Sequence, residues 1–172
     1  LYSLYTENGG ALVVSNPNGT GKRQVYTSPL RDWLLDWPSD SSAVITTKPS
    51  GLYPGFSYNL NTGTGVIKKI VGNITGLTIL QKPGSTQYLL GEGTGSIALS
   101  MLKKDGAVEK TTYLGKTLPE KCVWSKRIST VIYCAIPTFV GIGAYPDDWY
   151  QSSVSFNDSF WRIDTLTAQT SQ

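Results

Sequence analysis

Three stretches of the chain, LDWPSDSSAVITTKP, TILQKPGSTQYLLGE and CVWSKRISTVIYCAIP, share one pattern: an apolar strand, a polar turn, then a strongly apolar strand. Trp37 and Trp124 stand 87 positions apart, with Leu80 close to the midpoint. A second marker agrees, since the hairpin tips NPNGTG, NLNTGTG and KKDGAV place Gly19, Gly63 and Gly106 at intervals of 44 and 43. Asn-Gly and Asp-Gly pairs are what tight antiparallel turns select, because those turns need positive φ. Self-similarity at a fixed period restricts a chain to architectures that stack one unit many times.

Here the unit is about 43 residues of strand, turn, strand, turn, strand, tip, strand. Its first complete copy reads RDWLLDW, SAVITT, GFSYNL and GVIKKIV, and the next reads GLTILQ, TQYLLG, SIALSML and VEKTTY. Four antiparallel strands on a period in the low forties predict a β-propeller blade. Apolar runs such as AVI and VIYCAI are continuous rather than alternating, which suits inner strands covered on both faces. A two-sheet β-sandwich is the alternative, although nothing in a sandwich requires the recurrence. Leu1 aligns with about Thr86, so the first copy supplies only LYSLYT, GALVVSN and RQVYTS. The expected division is a partial blade over 1–30, blades over 31–71 and 72–115, and a blade with an inserted loop over 116–172. SFWRIDTLTAQ supplies the third strand and tip of the last blade, with little left for a fourth strand. An unclosed arc of such blades leaves strand edges and a blade face open, which invites association.

Composition excludes several function classes. Charged residues are 16% of the chain and the net charge is +3 without a basic stripe, so nucleic-acid binding is not expected. No histidine is present, which removes His-based triads and His metal ligands. No stretch approaches the roughly 20 apolar residues that cross a bilayer, and the opening LYSLYTENGG carries no basic signal-peptide region.

LLDWPSDSSAVITT and CVWSKRISTVIYCAIP resemble the W-S-x-D-x-x-x-[IV] core of TolB-like, WD-repeat-related bacterial propellers, and the tips NLNTGTG and IDTLTAQ are similar to the [LI]-[DN]-x-x-T-G ends of those repeats. The likeness spans roughly residues 30–170. In departure from the pattern, Trp37 precedes Pro, the middle copy has no Trp at that position, and the last copy carries an insertion. The resemblance implies an extracytoplasmic, non-catalytic binding scaffold, secreted or in the cell envelope.

The only two cysteines, Cys122 and Cys134, are equidistant from Ile128 at the centre of the turn SKRIST. In the propeller reading they lie on paired strands and oppose each other. Opposed antiparallel residues can have Cα atoms about 4.5 Å apart, and a disulfide accepts about 4.4 to 6.8 Å. A cross-strand disulfide is therefore allowed, and two reduced, buried core cysteines are the alternative. Zinc would need two further ligands from carboxylates, and the spacing is not C-x-x-C.

Between its second and third strands the last copy inserts PTFVGIGAYPDDWYQSSVSFNDS, residues 137–159. Loops on a rigid scaffold carry binding surfaces, and this one concentrates Tyr145, Asp147, Asp148, Trp149 and Tyr150. Such aromatics and carboxylates could stack on a sugar or peptide or contribute to a calcium site; as an ordinary capping loop, Trp149 and Tyr150 would instead pack on a neighbouring blade. GEGTGS, residues 91–96, lacks the order of a phosphate loop and reads as a turn. Sequons fall at Asn18, Asn73 and Asn157. No sialidase box is present, and no cofactor is expected. The expected function is a non-catalytic module that binds a protein partner or itself, through blade edges and the 137–159 loop. Its rival is a glycan-acting hydrolase or lyase at the ring mouth, using Asp147 or Asp148 as the acid.

Overall fold

The computed structural model describes residues 1–102, 108–109, 114–167 and 169–172. Within them the strands form four antiparallel sheets, each made of strands consecutive in the chain. Sheet 1 holds β1 (Tyr2–Thr6), β2 (Gly9–Val14) and β3 (Arg23–Ser28). Sheet 2 holds β4 (Trp33–Ser39), β5 (Ser42–Thr47), β6 (Pro54–Asn61) and β7 (Ile67–Thr75). Sheet 3 holds β8 (Thr78–Gln81), β9 (Tyr88–Glu92), β10 (Ala98–Leu102) and β11 (Val108–Glu109), and sheet 4 holds β12 (Cys122–Trp124), β13 (Val131–Pro137), β14 (Asp158–Asp164) and β15 (Thr170–Ser171). A sandwich would have two layers of sheet, whereas here there are four separate sheets.

The recurrence is thus real at the level of hairpins. SAVITT and RQVYTS coincide with β5 and β3, because β-branched residues fit a pleated surface. β7 departs from its expected span: it starts at Ile67 and runs past Val71 to Thr75. Bulges opposite Phe56 and Tyr58 absorb the extra residues, with Asn73 at positive φ. The tip of sheet 2 also differs, since its left-handed residue is Gly65 (φ +76) rather than Gly63. Asn61 Oδ1 accepts the amides of Gly63 and Thr64 at 2.9 Å each, and that side-chain turn moves the αL position two residues on. A Cβ on Gly65 would collide with the Val25 carbonyl of sheet 1, so the tip can sit there only as glycine. Arg23 seals the same junction by donating to the carbonyls of Thr62 (2.7 Å) and Gly63 (3.3 Å). Gly106 and most of the KKDGAV tip and VEKTTY strand lie outside the described residues, as does Ala168 in IDTLTAQ.

Three apolar clusters each join two sheets that follow one another in the chain. Leu12 and Val25 of sheet 1 meet Ala43, Ile45 and Leu60 of sheet 2. Val44 of sheet 2 meets Tyr88, Leu90 and Leu102 of sheet 3. Leu89, Leu99 and Met101 of sheet 3 meet Cys122, Trp124, Ile132, Cys134 and Ile163 of sheet 4. Neighbours in one strand, such as Val44 and Ile45 or Leu89 and Leu90, therefore serve opposite clusters. Alternation along a strand sends them to opposite faces, and both faces are covered, so the apolar run is continuous. Each aliphatic side chain so buried contributes roughly 1.5 to 3 kcal/mol.

Candidate binding loop and the face of the last sheet

Sheet 4 begins with the clipped hairpin. Cys122 pairs with Cys134 across β12 and β13, and their sulfurs are bonded, with Cα atoms 4.0 Å apart, closer than the range expected from the sequence. Ser125 shapes the turn between them by accepting the amides of Arg127 and Ile128 on its Oγ. Of the two readings open for the cysteine pair, the structure has the disulfide.

Turns of an antiparallel meander alternate between its two ends. The long connection from β13 to β14 therefore shares an end with the β5–β6 turn of sheet 2 and the β9–β10 turn formed by GEGTGS. It reaches both. Asp147 Oδ2 accepts from the Gly51 amide (2.7 Å) and the Ser50 hydroxyl (3.1 Å) of sheet 2, while Gly143 N donates to Gly95 O of sheet 3 at 3.3 Å. A Cβ on Gly93 would strike the Tyr145 carbonyl, which shows how closely the loop backbone lies on sheet 3. Within the loop, α1 (Asp147–Tyr150) is a single helical turn.

The five residues singled out in the sequence are brought together, and each has an internal partner. Tyr145 is buried, donates its hydroxyl to Gly141 O at 3.2 Å and stacks on Phe156 with ring centres 6.0 Å apart. Asp148 Oδ2 accepts the Ala144 amide at 2.8 Å while Asp148 N donates back to Ala144 O. Trp149 packs with Phe156 on a cluster built on Ile97, Leu118 and Tyr145. Tyr150 donates its hydroxyl to Glu120 Oε1. Burial first, and then the Glu120 carboxylate, push the Tyr150 phenol far above its ordinary range, so it stays a donor. Glu120 is itself raised by burial, offset in part by that hydrogen bond. Lys121 completes the cluster with its ammonium 4.4 Å from the Phe156 ring centre and paired with Asp158.

Chemically this arrangement anchors the loop. The Oδ2 atoms of both aspartates are engaged by N–H or O–H donors, and among the described residues no group of three or more Cys, Asp and Glu converges as a metal site.

A second surface lies on sheet 4 itself. Its inner face, with Cys122, Trp124, Ile132 and Cys134, packs on sheet 3. Register places Val123, Tyr133 and Arg162 side by side on the other face, with Ala135 beside Phe160. Val123 is 59%, Tyr133 44% and Phe160 78% exposed. Sequence reasoning assigned no residues to this face. The signal that could have found it is the apolar run VIYCAI, which predicts two covered faces where the described residues cover one. The chain matches no protein-family model and no curated protein. No helix among the described residues is long and apolar enough to cross a membrane.

Proposed function

We propose that the chain is an arc of a TolB-like β-propeller that works outside the cytoplasm as a non-catalytic binding and assembly module. Four meanders that pack on one another in chain order support the radial arrangement, and a disulfide fits an oxidising compartment. The observation that carries the reading is the open face of sheet 4. The equivalent faces of sheets 2 and 3, presented by Val44 and Leu89, are each covered by the next sheet, whereas among the described residues nothing covers Val123, Tyr133 and Phe160 of sheet 4. Contiguous exposed apolar surface of this kind marks a docking site.

Its occupant in this reading is sheet 1 of a second copy. Leu4, paired with Ala11 on the face of sheet 1 turned away from sheet 2, is 48% exposed. Stacking sheet 4 of each copy on sheet 1 of the other continues the packing already used inside the chain. Four sheets from each copy give eight, within the range of known propellers. Light scattering behind a sizing column tests this: the wild type is expected as a dimer and Phe160→Glu as a monomer. A wild type that stays monomeric at high micromolar concentration would overturn the assembly. The glycan-enzyme rival would have to work through the Oδ1 atom of Asp147 or Asp148, since Oδ2 of each accepts an amide, and turnover lost in Asp148→Asn would support it.

A further inference from the structure

At the end of the stack opposite the long loop, the first turns of sheets 3 and 4 enclose a cleft of about 380 Å³. Lys82, Lys126 and Arg127 line it together with the hydroxyls of Ser125 and Ser129 and the ring of Trp124, and no carboxylate is among its lining residues. Lys82 is held in place, its ammonium 5.3 Å from the Trp124 ring centre and donating to Gln87 Oε1 at 3.2 Å. The side chains of Lys126 and Arg127 make no ion pair with any described residue. Ser125 Oγ accepts two amides of its turn, which leaves its own hydrogen free to donate. The buried indole Nε1 of Trp124 also lacks an acceptor.

The corresponding cleft one step along, between sheets 2 and 3, makes the contrast. It measures about 510 Å³ and is lined by neutral groups such as Ser39, Asn59, Gln81 and Thr86. The same place in the repeat is therefore basic at one junction and neutral at the other.

We propose that the basic cleft binds a tetrahedral oxyanion ester, a phosphate or sulfate carried on a small organic residue such as a sugar. Three cations gathered without a counter-charge repel one another, and a bound oxyanion removes that repulsion while taking charge-assisted hydrogen bonds from them. The Arg127 fork matches the paired oxygens of such a group. A lone ion would occupy only part of a cleft of about 380 Å³, since one water takes about 30 Å³, which leaves room for an organic part.

The test is a titration followed by tryptophan fluorescence and calorimetry at low salt, with glucose 6-phosphate, glucose 6-sulfate, inorganic phosphate and glucose as probes. Both esters are expected to bind saturably and to weaken as salt rises, with inorganic phosphate weaker and glucose silent. A tighter phosphate ester assigns phosphate, and a tighter sulfate ester assigns sulfate. The Lys126→Gln, Arg127→Gln double variant is expected to lose at least tenfold in affinity. Lys22→Gln with Lys68→Gln, which removes equal charge from exposed sites just before β3 and in β7, is expected to lose none. Unfolding curves confirm that both variants are folded. Glucose binding as well as its esters, inorganic phosphate binding as tightly as the ester, or equal losses in the two double variants would overturn the proposal. Because the readout is ligand binding by one chain, it is independent of whether two copies associate.

Discussion

Sheets 3 and 4 are copies of one hairpin unit, yet corresponding positions of their second strands have different surroundings. Leu89 of β9 is 0% exposed because sheet 4 lies on it, while Tyr133 of β13, on the same side of its own sheet, stands in solvent. Strand propensity and alternation are alike in both. What differs is whether another of the described sheets lies on that face, so burial here is a property of the stack rather than of the strand. Sheet 4 also carries two devices that sheet 3 lacks among the described residues: the disulfide across its first hairpin and the long loop that ties back to sheets 2 and 3.

The sharpest way to break this comparison is a pair of truncations read by urea denaturation. Leu89→Ala is expected to cost roughly 2 to 5 kcal/mol through lost transfer energy and the cavity left behind. Tyr133→Ala should cost less than about 1 kcal/mol, in the range of surface changes, when measured on dilute monomer. Equal losses would mean that the two faces are equally covered.

Next comes the clip. Replacing Cys122 and Cys134 together by serine is expected to remove about 2 to 3 kcal/mol, because the short loop they close then regains its freedom in the unfolded chain. Comparing wild-type denaturation with and without reductant should give a loss of the same size. If neither treatment lowers the midpoint, the end sheet does not depend on its staple.

The loop tie is smaller. Asp147→Ala leaves the Gly51 amide of sheet 2 without its carboxylate and should cost about 1 to 2 kcal/mol. Hydrogen exchange at residues 50 and 51 should quicken while exchange in β9 stays unchanged, which separates a loosened tie from general destabilisation.

The smallest effect concerns Asp36, whose Oδ2 accepts the Gln81 amide at 3.3 Å across the junction of sheets 2 and 3. Burial raises its pKa, with backbone amides from Gln81 and Trp37 opposing that shift. A raised carboxyl holds its proton more firmly folded than unfolded. Its contribution therefore falls as pH climbs from the ordinary value of about 3.9 through the raised one. Asp36→Asn should be stabilising by less than about 1 kcal/mol at pH 7 and neutral at pH 3, checked by denaturation at the two values. A larger benefit at pH 3 would reverse the assigned direction.

Much of this was legible in the residues. The turn SKRIST has Ile128 at its centre, and that symmetry by itself sets Cys122 against Cys134. The run SAVITT announced an inner strand, and NPNGTG a tip with Gly19 at positive φ, where the structure has it. The positive-φ residue of the sheet 2 tip lies two residues beyond Gly63 because the Asn61 side chain closes that turn, a local competition that period counting does not register. Tyr145, Asp147, Asp148, Trp149 and Tyr150 stand close together in the sequence itself. Their inward use depends on amides and rings from Gly51, Ala144 and Phe156, the first of them distant in the chain.

By itself, then, the order of residues determined the hairpins, their period and the cysteine register, because these rest on short-range turn chemistry and on side chains alternating across a strand. Which face of each sheet met another sheet, where the 137–159 loop came to rest and which cations were left without a partner were decided only in three dimensions. Those outcomes depend on groups tens of residues apart arriving at one place, and the local pattern around each carries no record of the other.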